Sequence, residues 1–304
     1  MPQRIFLTPS WREAPVEGRS LLVQFIMTEP SSIPPPTVSV GRLAYRDGAF
    51  ERGERIVPAE TAIAFTFDRM THAVMMATPA DLEDFAVGFS LAEGIIRAPG
   101  DIGTIETVST DLGIELRMDL AEASRAVFFE RRRHMTGPSG CGLCGIESLG
   151  EAMRALPKVS GGLKIYPAQI AVAMNALGDA QQLNRAARAI HAAAFWEPRH
   201  GLAALREDVG RHNALDKLAG ALARRGIAPS SGIVLLTSRV SIELVQKVAI
   251  MGASVMVAVS APTALAIRLA EEAGITLIGV ARQDGFEIFT RPERVLQPVA
   301  DHVA

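Results

Sequence analysis

Apolar and polar positions fall into two rhythms along this chain. Between about 37 and 135 the pattern is mixed. "TAIAFTF" (61–67) and "HAVMMAT" (72–78) read as strands split by "DRMT", a hairpin. "ATPADLEDFAVGFSLAEGII" (77–96) predicts a helix. Thr78 is its expected cap and Pro79 its first helical position, with Asp81, Glu83 and Asp84 at the positive end of the dipole. Leu82, Phe85, Phe89 and Ala92 mark its buried face. "TIETVST" (104–110) and "GIELRMDL" (113–120) predict a second hairpin. Met75 and Met76 read as core, as does Trp196.

After 160 the rhythm changes. "ARAIHAAAFW" (187–196) fits a helix or strand end, and "NALDKLAGALARRG" (213–226) a helix stopped by Gly226. Then "GIVLLTS" (232–238), "SIELVQKVAIMG" (241–252), "SVMVAVS" (254–260), "TALAIRLAEEAG" (263–274) and "TLIGVAR" (276–282) alternate strand and helix. Near-continuous apolar strands are expected where both sheet faces are covered. The fold class predicted is α/β with a mostly parallel sheet, beside a smaller N-terminal α+β domain. The expected divisions are a tail or linker at 1–36, the small domain at 37–135, a cysteine loop at 136–148 and the α/β domain at 149–304. The linker reading rests on the proline-rich "TEPSSIPPP" (28–36).

Composition narrows the function classes. Hydrophobic residues make up 48% and charged residues 21%, as in a chain with a real core. A net charge of −2 gives no basic field for nucleic acid. "LLVQFIM" (21–27) is too short to span a membrane and lacks a signal-peptide cleavage pattern. The expected compartment is the cytoplasm, where thiols stay reduced.

The chain has two cysteines, Cys141 and Cys144, set in "GPSGCGLCGIES" (137–148). A structural zinc site wants four ligands, and there is no second CxxC. No histidine has Glu two residues on, and Gly140 stands where a nucleobase deaminase carries proline, so no metal is expected. A dithiol redox pair needs held geometry, whereas Gly140, Gly142 and Gly145 make this loop permissive. A persulfide-carrying arm needs a thiolate. The helix predicted at 146–157, and Arg131 to His134 if they fold nearby, favour one; Glu147 opposes it. Two thiols without chemistry remain the plain alternative.

"REDVGRHNALDK" (206–217) is the second polar cluster. Asn213 is the expected helix cap, Gly210 permits close approach of a ligand, and Arg211 with a helix N-terminus makes an anion site. The competing reading is a turn in which Arg206, Glu207, Asp208 and Arg211 satisfy one another. Arg239 and Arg282 repeat the chemistry at two strand ends, which points to a polyanion. No G-x-G-x-x-G or P-loop is present. His191 and His200 read as core or surface histidines rather than ligands.

Taken together, "CGLCG" (141–145), "EDVGRHNALDK" (207–217), "SRVSIELVQK" (238–247), "ATPADLEDFAVGFSLAEGI" (77–95) and "GVAR" (279–282) resemble the formate dehydrogenase accessory sulfurtransferase (FdhD) family. That resemblance implies a sulfur carrier. It would take persulfide sulfur from a cysteine desulfurase and pass it to the bis-molybdopterin guanine dinucleotide cofactor of molybdenum, as formate dehydrogenase requires. It also implies a larger domain of three-layer, cytidine-deaminase-like form without zinc, and a homodimer. By motif, Cys141 matches the persulfide-bearing cysteine and Cys144 its partner. Val280, Ala281, Arg282, Gln283, Asp284 and Gly285 match the segment assigned to the cofactor. Val280 stands where the family carries an aromatic residue, and Ser238 where glycine is common. On this reading Arg211, Asn213, Arg239 and Arg282 contact the cofactor, which GDP or GMP could mimic, and Asp208 or Asp216 reads guanine. The alternatives are a thiol–disulfide oxidoreductase and a non-catalytic cofactor-binding chaperone.

Overall fold

The computed structural model of the chain describes residues 32–133 and 156–297. Cys141 and Cys144, the cysteine loop and most of the helix predicted at 146–157 lie outside the described residues, as do residues 1–31.

The chain enters through a two-stranded antiparallel ribbon, β1 (Thr37–Arg46) and β2 (Ala49–Pro58), a pairing that the mixed apolar pattern there does not announce. Next comes the expected hairpin, β3 (Thr61–Phe67) and β4 (Met70–Ala77). Its turn residues Asp68 and Arg69 both take positive φ, as a twist-matched tight turn demands. Helix α1 (Leu82–Ala92) precedes the second expected hairpin, β5 (Ile102–Thr110) and β6 (Gly113–Leu120). Strand β6 lies parallel to β3, so the sheet order is β4-β3-β6-β5. Phe65, Phe67, Phe85 and Phe89 fill its core with Phe128 of α2 (Glu122–Arg133). Met75 packs against this core, but Met76 faces outward, because successive strand residues point to opposite faces.

The second unit begins with α3 (Pro167–Ala180) and α4 (Gln182–Ala187). Strands β7 (His191–Glu197) and β8 (Gly201–Asp208) pair antiparallel. Then follow α5 (Arg211–Arg224), β9 (Ile233–Leu236), α6 (Ile242–Met251), β10 (Val255–Ala258), α7 (Ala264–Ala273), β11 (Thr276–Arg282) and β12 (Gly285–Ile288). Gly226, with φ of 65°, ends α5 as expected. The order is β12-β11-β10-β9-β7-β8. Only the β9–β10 and β10–β11 pairings are parallel; β7–β8, β7–β9 and β11–β12 are antiparallel. The sheet is therefore mixed rather than mostly parallel. The alternating segment found in the sequence supplies only its middle, and hairpins extend both edges. Helices α5, α6 and α7 cover one face and α3 the other, an α/β sandwich of three layers. Trp196 is in the core, as expected.

The two units are locked where α1 crosses α5. A Cβ built on Gly88 would lie 1.7 Å from the Asp216 carbonyl oxygen, and one on Gly220 1.9 Å from that of Asp84. Two helices can approach this closely only where both lack side chains. Asp84 in turn accepts from Arg206 Nε at 2.8 Å and from Arg224 Nη1 at 2.6 Å, tying α1 to β8 and to the end of α5.

A buried polar knot sits beside the crossing. Asp208 and Lys217 are fully buried, with Lys217 Nζ 2.6 Å from Asp208 Oδ2 and 2.8 Å from the Thr78 carbonyl. Asp208 also accepts from the backbone N–H groups of Thr78 and Gly210 and from Asn213 Nδ2. Burial pushes the Lys217 ammonium down, and Asp208 opposes that shift. The knot explains a departure from expectation: α1 does not start at Pro79 under a Thr78 cap. Thr78 spends its N–H, carbonyl and hydroxyl on the other unit, its Oγ1 accepting from the Val209 N–H. The helix begins at Leu82, after Asp81 in the left-handed region with no side-chain cap.

Two outcomes follow for stability. Gly88→Ala forces a methyl into the Asp216 carbonyl, and urea denaturation should show a loss at or above the about 1–3 kcal/mol typical of overpacking. An unchanged midpoint would mean that the helices do not touch there. Lys217→Met leaves the Asp208 carboxylate buried without its cation, for an expected loss of about 3–5 kcal/mol. Lys217→Met with Asp208→Asn should recover part of it; no recovery would count against the pairing.

Candidate functional site

Strands β8, β9, β10 and β11 run in one direction, since β8 and β9 are each antiparallel to β7 and β9 to β11 are mutually parallel. Their carboxyl ends therefore share one sheet edge, where ligands of open α/β sheets sit. The segments leaving that edge touch one another. Val240 bridges Pro262, the Thr263 N–H donates to the Val240 carbonyl, and the Val280 N–H donates to Ser260 O at 3.3 Å. This gathers Arg211, Arg239 and the 280–285 segment, which are far apart in sequence, at one edge.

Arg211 and His212 are the first two residues of α5, not residues ahead of it. The self-satisfied turn is not what forms around them. Arg206 goes to Asp84, Glu207 accepts from the N–H groups of Leu183 and Asn184 at the start of α4, and Asp208 is held in the knot. Arg211 is left over: its Nε is buried and finds no hydrogen-bond partner among the described residues. The same holds for His212 Nε2, Ser241 Oγ and Glu243 Oε2. His212 Nε2 and Glu243 Oε2 stand 4.0 Å apart, so the first turns of α5 and α6 face each other across unsatisfied polar groups. Such groups are costly without a partner, and their convergence is the mark of a site completed by something else.

Electrostatics there favour an anion. Burial, then Arg211 and Lys247, lowers the His212 imidazole to about 4, against the pull of Glu243. Burial and Arg211 lower His191, at the start of β7, in the same way. Both imidazoles are thus neutral near pH 7, and the cationic character belongs to Arg211.

Asn213 is the third residue of α5, whose cap position is Gly210; the asparagine does not cap the helix. Its Nδ2 donates to the Met76 carbonyl and to Asp208. The close approach that Gly210 permits is to this side chain, 2.7 Å from a built Cβ. Asp208 has both oxygens engaged. Asp216 gives both of its oxygens to Lys247 at 2.6 and 2.8 Å, and burial raises its carboxyl to about 6. It lines a separate cavity of about 470 Å³ with Leu91, Ile96 and Met251, between α1, α5 and α6. Arg239 is exposed after β9, and the buried Ser238 donates to its carbonyl.

The 280–285 segment does not trail the last strand. It comprises the end of β11, the two-residue turn Gln283–Asp284 and the first residue of β12, with Arg282 paired to Gly285 and a bulge between Gly279 and Arg282. Val280 sits at φ 51°, a rare state for a β-branched residue, while Ala281 is buried and Arg282, Gln283 and Asp284 are exposed. His191, His212 and Glu243 were not singled out as site residues from the sequence; Glu243 lies inside the "SRVSIELVQK" run, the one signal that could have found it. His200 is a surface residue beside Glu197. Among the described residues, no cluster of three or more His, Cys, Asp or Glu is placed to hold a metal ion, and no helix is long and apolar enough to cross a membrane.

Residues 58–296 match the model of the FdhD/NarQ family. The chain is 54% identical over 258 residues to the sulfur carrier protein FdhD of Agrobacterium fabrum, covering 84% of this chain and 95% of that protein. Against the sulfur carrier protein FdhD of Brucella abortus it is 48% identical over 259 residues, covering 85% and 96%. Its fold is similar to the crystal structure of a protein described as a formate dehydrogenase accessory protein from Desulfotalea psychrophila. The TM-score is 0.69 at 22% identity, over 86% of this chain and all of that one. By the extent of that match and those identities, the chain belongs to the FdhD/NarQ family.

Proposed function

We propose that this chain, a sulfur carrier like its FdhD/NarQ relatives, receives persulfide sulfur on Cys141 from a cysteine desulfurase. It delivers that sulfur to the bis-molybdopterin guanine dinucleotide cofactor destined for formate dehydrogenase. The observation that carries the reading is the chain's only thiol pair, Cys141-x-x-Cys144, in a protein about half identical to sulfur carriers over most of its length.

Loading is a thiol exchange. The Cys141 thiolate attacks the outer sulfur of the donor's persulfide, a new S–S bond forms on Cys141, and the donor cysteine leaves as a thiolate. For release, Cys144 attacks the inner sulfur of Cys141. The pair closes a disulfide and the outer sulfur departs as hydrosulfide, taking up the two electrons the thiols give. A dithiol reductant then reopens the pair. At the sheet edge, Arg211, Arg239 and Arg282 are the cations assigned to the cofactor's pyrophosphates. The unpartnered Arg211 Nε is the support for that assignment. The turn at Val280, Ala281, Arg282, Gln283, Asp284 and Gly285 bounds the same edge, and Asn213 acts from beneath by holding the start of α5.

Incubation with a desulfurase and cysteine should add about 32 Da per sulfur to the chain, and Cys141→Ser should abolish the gain. No adduct on the wild type would end the carrier reading. An insulin-reducing activity that needs both cysteines equally would favour the oxidoreductase instead, and formate dehydrogenase made active by Cys141→Ala would favour the chaperone. For the anion site, Arg211→Ala should weaken GDP binding about tenfold or more by calorimetry, the worth of a charged hydrogen bond. Equal affinity would remove Arg211 from the site.

A further inference from the structure

The cavity between α1, α5 and α6 takes no part in the chemistry above. At about 470 Å³ it falls within the size range of small-molecule sites. Leu91, Ile96, Ala219, Ala223, Ile250 and Met251 give it aliphatic walls, and three charged side chains, Arg97, Asp216 and Lys247, join them.

The rim of the cavity is tied down by main-chain bonds. The Gly94 and Ile95 N–H groups close the end of α1 onto the carbonyls of Leu91 and Ser90. The Asp101 carboxylate accepts from the N–H groups of Arg97 and Ala98 at 2.8 and 3.1 Å, which fixes the loop that follows. Across the opening, the Ile227 N–H donates to the Leu222 carbonyl and holds the chain beyond α5. The space is thus pre-formed, as ligand sites usually are.

The charges decide what fits it. Asp216 gives both oxygens to Lys247, so that pair cancels within the cavity. Arg97 is exposed, and its guanidinium has no ion pair or hydrogen bond among the described residues. One cation is therefore left over beside an aliphatic interior. We infer that the cavity binds a small aliphatic monocarboxylate, with its carboxylate on Arg97 at the rim and its hydrocarbon body among Ile96, Ala223, Ile250 and Met251.

Guanine is a poorer occupant. Its N1–H and N2–H need a carboxylate free to accept both, and Lys247 already holds the two oxygens of Asp216. A pyrophosphate would face one arginine and walls that cannot solvate its remaining charge. An alkylammonium would meet Arg97 as a like charge, and a neutral alcohol would leave the guanidinium unused.

Calorimetry of the full chain with hexanoate, octanoate and decanoate tests this. Each pair of added CH2 groups should tighten binding about tenfold, to a dissociation constant of about 0.1 mM for decanoate. Octylammonium should bind at least tenfold more weakly than octanoate. Arg97→Glu, at an exposed position, should weaken octanoate about tenfold and leave octanol unchanged, the signature of a charged contact. Ala223→Trp fills the space and should abolish binding of all three acids, with the melting curve as the check that the chain still folds. No binding by decanoate, equal affinity for octylammonium, an affinity for octanoate indifferent to Arg97→Glu, or displacement of decanoate by GMP would overturn the proposal. Neither Arg97 nor Ala223 belongs to the thiol chemistry, so both variants should load sulfur as the wild type does. A chain that takes up sulfur but no carboxylate would sink the cavity's assignment and leave the carrier reading intact.

Discussion

The architecture depends on the backbone contact between α1 and α5 at Gly88 and Gly220. Each glycine faces a carbonyl that a methyl group would strike, so the helix axes are fixed by the main chain rather than by side chains that could repack. This turns two units, each with its own sheet and core, into one body. It also brings Thr78 and Met76, from the end of β4, within reach of Asp208, Asn213 and Lys217. The knot they form holds the start of α5 through a carboxylate with four donors. The start of α5, which carries Arg211, is thus positioned by a buried network shared between the two units.

That arrangement accounts for a selective vacancy in the hydrogen bonding. The segment 206–217 holds enough opposite charge to neutralise itself, yet its members are divided among three other elements. Arg206 joins α1, Glu207 caps α4 and Asp208 locks α5. Among the described residues, Arg211 Nε is left buried without an acceptor, and beside it His212 Nε2, on a histidine kept neutral, and Glu243 Oε2 are also unmet. Pairing Arg211 with Asp208 would have satisfied it inside the fold. The structure instead spends Asp208 on Lys217 and leaves the Arg211 Nε at the start of α5 without a partner among the described residues.

Much of this was legible from the chain, for reasons that differ by element. The hairpins at 61–78 and 104–120 show because turn chemistry and alternation coincide, and the βα units at 232–282 because buried strands are continuous apolar runs. The mixed sheet was not legible. β7 and β8 look like a polar cluster next to an alanine run, and β12 carries only four residues, too few for a period. The ribbon escaped because its strands mix Arg, Glu and Gly with apolar residues, a pattern that makes sense only with its outer face in view. At the site, the arginines were visible as charges at element ends. Which of them stays unpaired is a three-dimensional fact, because the competing partner, Asp84, lies more than a hundred residues away.

Val280 shows how sequence and structure divide the work at the end of β11. A β-branched residue at φ 51° is strained and persists only where its surroundings over-determine it. Here they do. Its N–H is tied to Ser260 O, and the preceding Gly279 lies so close to Pro262 and Ser260 that a Cβ would sit 3.0 to 3.2 Å from them. The β11 bulge is therefore built by main-chain contacts with the neighbouring loop, not by the side chain at 280. An aromatic residue at that position would add a stacking surface, but the path of the chain into the Arg282–Gly285 turn does not need one. The segment has a backbone course fixed by the sheet, with the exposed Arg282 as the last residue of β11 before the Gln283–Asp284 turn.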